Sequence, residues 1–193
     1  MSTLSADALL GRAAANWLIS LPTGNYISSP GHVLQTQWVR ATAQSTYASA
    51  ASGNGTTISD LAITITPKSA SSLLICCWMI NYEVTYNTVF LVHKDGALIT
   101  TAGYQAYNNV VGNVRYSGVM SAMYDNNNES TPSNNYMMYA VPSGSTAAAT
   151  YAPAIRASDA SAATFYLNRS ISSAGADAYE IAVSTGVIME IAQ

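Results

Sequence analysis

Residues 61–84 read apolar, then polar, then apolar: "LAITIT", "PKSASS", "LLICCWMINYEV". In the first run Leu61, Ile63 and Ile65 fall on one side of an extended chain. Ala62, Thr64 and Thr66 fall on the other, as in a strand with one buried face. Pro67 cannot donate to a sheet ladder and ends that strand. In the last run Leu73, Ile75, Cys77 and Met79 share one side, and Leu74, Cys76, Trp78 and Ile80 share the other. Both sides are apolar, so this strand is expected to be covered on both faces, with contact between copies covering the second. The polar knot between the runs is expected to be a turn.

Period-2 text continues elsewhere in the chain. "HVLQTQWV" predicts the first strand, and the Ser/Ala/Gly-rich "TAQSTYASAASGNGT" predicts a loop. "TVFLVHKDGALITT" predicts a hairpin about Asp95-Gly96, a tight-turn pair between two β-rich runs. "NVVGNVRYSGVMSAMY" predicts a long strand region with Val114, Tyr116, Met120 and Tyr124 near one face. Within it, Gly112 and Gly118 mark bulges or close backbone approach. "DNNNESTPSNN" predicts a loop. "YMMYAVP", "TFYLNRSIS" and "VIMEIA" predict further strands, the last with Val187, Met189 and Ile191 on one face. Eight to ten short strands with no helix between them imply an all-β sandwich or barrel.

Only residues 5–19 carry the helical period. Ser5 can cap this helix and Asp7 suits its first turn. Ala6, Leu9 or Leu10, Ala13, Trp17 and Leu18 form an apolar stripe. Pro22, Gly24, Pro30 and Gly31 end the helix and break the segment after it. The expected organisation is an N-terminal helix and linker over 1–27, then one β-domain over 28–193. The stripe either packs on that domain or serves as an anchor or as a bundle with copies of itself, with Leu10, Trp17 and Leu18 as its assembly residues.

Composition sharpens this picture. Of 193 residues, 49% are apolar and only 9% are charged, against about a quarter charged in ordinary soluble domains. A surface so poor in charge suits contact with copies of the same chain. The net charge of −3 and the scattered Lys and Arg residues argue against a nucleic-acid partner. "LLICCWMI" is too short to span a membrane, and the N-terminus lacks the basic head and apolar run of a secretory signal. A soluble chain made in the cytoplasm, with no membrane insertion, is expected. Cys76 and Cys77 are adjacent and would point to opposite faces of a strand, so two free buried thiols are expected.

Candidate chemistry is sparse. His32 and His93 are the only imidazoles. Asp95, next to His93, is explained by its turn, and no nucleophile elbow is present, so no catalytic residue, cofactor or metal site is expected. "DNNNE" alternates oxygen-bearing side chains as a calcium loop does, but lacks the full EF-hand spacing. The 13 Tyr against two Phe are more informative. Tyr joins an apolar ring to a polar tip and suits contact surfaces. Tyr104, Tyr107, Tyr124, Asn127 and Tyr136, in or beside loops, are therefore the candidate contact residues for a glycan or protein surface.

"SPGHVLQTQWV", a Ser/Thr/Gly loop, "ISDLAITITPKSASSLLICCWM", "FLVHKDGALI" and "VIMEIAQ" come in an ordered series. In that order they resemble a domain of tailed-phage virion proteins, particularly tail-fibre and other appendage proteins. The likeness covers roughly residues 30–193, with about 105–175 similar only in general character. It implies a jelly-roll-like antiparallel β-sandwich that assembles as a homotrimer within a virion. One helix and a short linker ahead of the sandwich suggest a compact knob rather than a long-shafted fibre, held to other virion proteins by residues 1–27. Three functions compete: a host-binding appendage, a capsid decoration (cement) protein, and a carbohydrate-active enzyme on a sandwich fold.

Overall fold

The computed structural model describes residues 29–51, 53–101, 103–104, 118–122, 124, 131–158, 161–172 and 180–193. The helix expected at 5–19, with Leu10, Trp17 and Leu18, lies outside them, as do Tyr107 and Asn127.

The described chain is nearly all β: β1 (Val33–Ala41), β2 (Thr46–Ser49), β3 (Thr56–Thr57), β4 (Ile63–Ile65), β5 (Leu73–Val84), β6 (Thr88–Lys94), β7 (Ala97–Leu98), β8 (Met120–Ser121), β9 (Ser133–Pro142), β10 (Ala149–Ala157), β11 (Ala163–Leu167) and β12 (Ser184–Ile191). All the described ladders are antiparallel. They form two sheets, the jelly-roll-like sandwich that the sequence predicts.

In the first sheet β5 is central. β9 pairs along one of its edges, from Leu73 to Tyr82. β12 and then β11 share the other edge, opposite Leu73–Met79 and Tyr82–Val84. β1 lies outside β12, and β2 lies outside β11. The second sheet runs β3-β10-β6-β7, with β4 on β10 and β8 on β6.

The core lies between the sheets. From β5 it takes Leu74, Cys76, Trp78, Ile80 and Tyr82; from β12, Ile188; from β9, Met137, Tyr139 and Val141. The second sheet supplies Phe90, Leu91, Val92, Ala154 and Ile155. Trp78 is fully buried, and its indole N–H donates to the Leu61 carbonyl at 3.0 Å. Tyr82 stacks on Phe165 at 5.0 Å, while Phe90 meets both rings edge-on at 5.2 and 5.9 Å, arrangements aromatic rings favour.

Several expectations hold at the level of single residues. Leu61, Ile63 and Ile65 are buried while Thr64 and Thr66 are exposed. Asp95 and Gly96 both take positive φ, 52° and 77°, as a two-residue hairpin turn demands. A Cβ on Gly118 would sit 2.3 Å from the Phe90 carbonyl oxygen, so the backbones do approach closely there. Cys76 and Cys77 are both free and buried.

Other expectations need correction. The segment expected to be a loop over 42–56 contains β2 and the first residue of β3. "ISDLAITIT" is not one strand, because Ser59–Leu61 forms a 3-10 turn before β4. β10 is not among the strands that the sequence predicts, because Pro153 sits in its middle and proline argues against a central strand. The register resolves the conflict. β4 pairs with Ala149–Tyr151 and β3 with Ala154–Ile155, so Pro153 falls in the gap between them. Its carbonyl still accepts from Ile58 N at 2.9 Å on that side. The N–H that proline lacks would point into the same gap, so no ladder bond is lost.

Candidate functional site

The feature that departs furthest from an ordinary sandwich is the outer face of the first sheet. Directly paired residues project on the same side of a sheet, so the registers order this face into rows. One row runs Trp38, Val187, Cys77, Met138; the next runs Arg40, Thr185, Met79, Tyr136. On the other side of the Trp38 row lie Thr36, Met189, Ile75, Ala140, and then Val33, Ile191, Leu73, Pro142. Most of these sixteen side chains are apolar, and Arg40 is the one charge among them.

The profile of the face is two ridges and a trough. Trp38 on β1 is 73% exposed; Tyr136 and Met138 on β9 are 64% and 62% exposed. Between them Cys77 is only 5% exposed. A cleft of about 270 Å³ runs between the ridges, lined by Trp38, Cys77, Met79, Tyr136 and Val187 among others. Contact with the Cys77 thiol raises the Tyr136 phenol above its usual pKa.

The two-sided apolar strand is therefore real, but its sides have different fates. Leu74, Cys76, Trp78 and Ile80 enter the core, and burial raises the Cys76 thiol pKa well above its ordinary range. Leu73 and Ile75 are half-buried and Met79 is 44% exposed. The cover expected over this second side is not provided by any described residue of the same chain.

Toward the far end of β5 the same face changes character. β2 and β11 bring small and polar residues, and a second cleft of about 480 Å³ is lined by Ala48, Thr85, Thr164, Tyr166 and Ile171, among others. The Arg169 guanidinium lies 5.2 Å from the Tyr166 ring centre. Glu83 is buried beneath this region. One of its oxygens accepts from Thr131 N and Oγ1 at 3.0 and 2.8 Å, the other from Ile171 N at 2.6 Å.

At the opposite end Glu190 holds the polar knot. Its carboxylate accepts from Lys68 N at 2.7 and 3.0 Å, from Ser69 N at 3.1 Å and from Gln35 Nε2 at 2.6 Å. Burial, the largest single influence, would raise its pKa. The surrounding donors, Gln35 and the Ser69 and Lys68 amides among them, outweigh it and leave the pKa lowered.

The sequence-predicted contact residues are scattered. Tyr104 and Tyr124 are exposed, and the Tyr104 carbonyl accepts from the Tyr139 hydroxyl. Tyr136, a candidate contact residue at the start of the expected strand "YMMYAVP", lies within β9, which begins three residues earlier at Ser133. Its alternating neighbours Met137 and Tyr139 are core residues that draw the Asn-rich segment into the sheet. Trp38 and Met138 are not among the residues that the sequence singles out. Their signal is relational: they matter because β1 and β9 flank β12 and β5.

His93 is buried, with Nδ1 2.7 Å from Thr57 Oγ1 and Nε2 2.9 Å from the Asn54 carbonyl. Both ring nitrogens thus have partners within the fold. Among the described residues no group of three or more His, Cys, Asp or Glu is placed to hold a metal ion. No described helix is long and apolar enough to cross a membrane.

No family model matches the sequence, and no curated protein matches it. Among solved structures, the fold is similar to a chain in the structure of infectious bursal disease virus, Gx strain. That match has a TM-score of 0.33 and 12% identity, and covers 91% of this chain and 46% of the other. The chain thus spans about half the length of that neighbour, and a superposition this loose establishes neither a shared family nor a shared role.

Proposed function

We propose that this chain is a structural protein of a tailed-phage particle: a compact homotrimeric knob, non-enzymatic, held to other virion proteins through residues 1–27. Its loops face outward for contact with a host surface glycan or protein. The observation that carries the reading is the open apolar face of the first sheet. An isolated domain gains nothing by exposing Trp38, Met79, Tyr136 and Met138 together, whereas a subunit buries them on assembly. The low charge of the whole chain and the ordered likeness to phage appendage domains support the same reading.

Purified full-length protein should sediment at micromolar concentration as a species of three times the 20.3 kDa chain mass, and should adhere to susceptible cells. A trimer that does not adhere, but raises the heat resistance of capsids, would transfer the chain to the cement role. A protein that stays monomeric would end the self-assembly reading altogether.

A further inference from the structure

Resting on that reading, we infer which surface makes the trimer and how it is arranged. The outer face of β1, β12, β5 and β9 lies against the three-fold axis, and the β1 ridge of each copy packs against the β9 ridge of the next.

Shape supports a second copy as the occupant. The face carries both a projecting ring, Trp38, and a trough of about 270 Å³ beside Met79 and Tyr136. That volume falls just below the usual range of small-molecule pockets and suits a side chain better. Trp and Tyr, which here crown the two flanking ridges, are among the residue types that most often anchor interfaces.

Charge supports it too. Arg40, the one charge of the face, lines the trough beside Trp38, and in a head-to-tail contact it meets the uncharged β9 ridge of the next copy rather than a second Arg40, so no like charges are opposed. A strongly basic partner would be repelled here, and an acidic one would find a single complementary charge.

Area points the same way. Four strands at the usual spacing, each about seven residues long, make a footprint of roughly 400 Å². That is in the range of the largest apolar patch on a monomer, about 300–600 Å², which is often functional. It is half of the ~800 Å² that one partner gives to a standard interface. Among the described residues β1 pairs only with β12, and β9 only with β5, so contact along these two outer strands is available to add to the footprint.

A three-fold arrangement requires a head-to-tail contact in which two different parts of the surface meet. The two ridges, on opposite flanks of one face, meet that requirement. A two-fold stack with its axis along the strands also sets β1 on β9, but reciprocally, so it closes at two copies; the size of the cross-linked product distinguishes the two.

The test uses the full chain. Trp38→Glu should convert the trimer to a folded monomer with an unchanged circular dichroism spectrum. In a Cys77→Ala background, Thr36→Cys combined with Ala140→Cys should close into a covalent trimer under a copper–phenanthroline oxidant. These positions share a row but sit three strand spacings apart, about 14 Å, beyond the ~7 Å reach of a disulfide within one chain.

A wild-type trimer that survives Trp38→Glu would overturn the face while leaving self-assembly intact. A trimer whose paired cysteines form no interchain bond, or whose single-cysteine variants link to themselves as dimers, would overturn the head-to-tail arrangement. A wild-type monomer in which Trp38 becomes accessible only after removal of residues 1–28 would assign the face to that segment. In that case both this inference and the trimeric reading fail.

Discussion

Gly186 lies directly across the β12–β5 ladder from Trp78, and the indole occupies the space that a side chain at 186 would need. A Cβ there would fall 2.3 Å from Trp78 Cδ1 and 2.6 Å from Nε1, with Ile63 Cδ1 at 3.1 Å. The ring cannot swing away without breaking its bond to the Leu61 carbonyl. Gly186→Ala should therefore overpack the core and destabilise the domain by about 1–3 kcal/mol. A urea denaturation midpoint equal to that of the wild type would show that the ring has room to move.

The Gly186–Trp78 relationship also shows where sequence reading stops. Residues 73–84 announce a strand, and the structure returns those bounds for β5. Asp95-Gly96 announces a hairpin through local turn chemistry alone. Both signals are local. The pairing of β12 and β9 with β5, and of β1 with β12, joins residues more than 50 positions apart and leaves no mark in any short window. The apolar outer face between Trp38 and Met138 is therefore legible in the sequence only as one strand with two greasy sides. β2 escapes notice because "TYAS" offers little apolar contrast, and β10 because Pro153 is tolerated only through a gap in its neighbours.

Glu190 makes stability depend on pH. Its pKa in the folded protein lies below its ordinary value of 4.5, so the folded state holds the proton less tightly than the unfolded chain. The carboxylate stabilises in full above about pH 4.5, and that contribution disappears as pH falls through the folded-state pKa. Glu190→Gln should cost about 2 kcal/mol at neutral pH, the scale of hydrogen bonds to a charged group. It should also flatten the acid limb of the stability curve. Parallel wild-type and variant curves between pH 3 and 6 (roughly the window around carboxylate titration) would remove Glu190 from this role.

Glu83 should act as a latch. It is buried, and it ties the chain at Thr131 and at Ile171 to the middle of the first sheet. Glu83→Ala would remove all three of these hydrogen bonds to a charged group, a loss of about 2–3 kcal/mol. The local consequence is the sharper test. Limited proteolysis followed by mass spectrometry should show faster cleavage near 131 and 171 than in the wild type. An unaltered cleavage map with lowered global stability would mean the carboxylate supports the sheet without restraining these segments.

Ile75 and Trp78 belong to one strand and should respond oppositely to the same substitution. Trp78 is fully buried between the sheets, so Trp78→Asp would leave an unpaired charge in the core and prevent folding. Ile75 projects from the other face, beside Met189 and Ala140, where it is only half-buried in a single chain. In a monomer a carboxylate there reaches water, so Ile75→Asp should fold. On the three-fold axis it would meet its own copies, and the trimer should dissociate. The expected result is a soluble Ile75→Asp monomer with a wild-type circular dichroism spectrum, and no soluble Trp78→Asp protein. An Ile75→Asp protein that still sediments as a trimer would place the interface elsewhere. One that cannot fold at all would mean the outer face is already covered within a single chain.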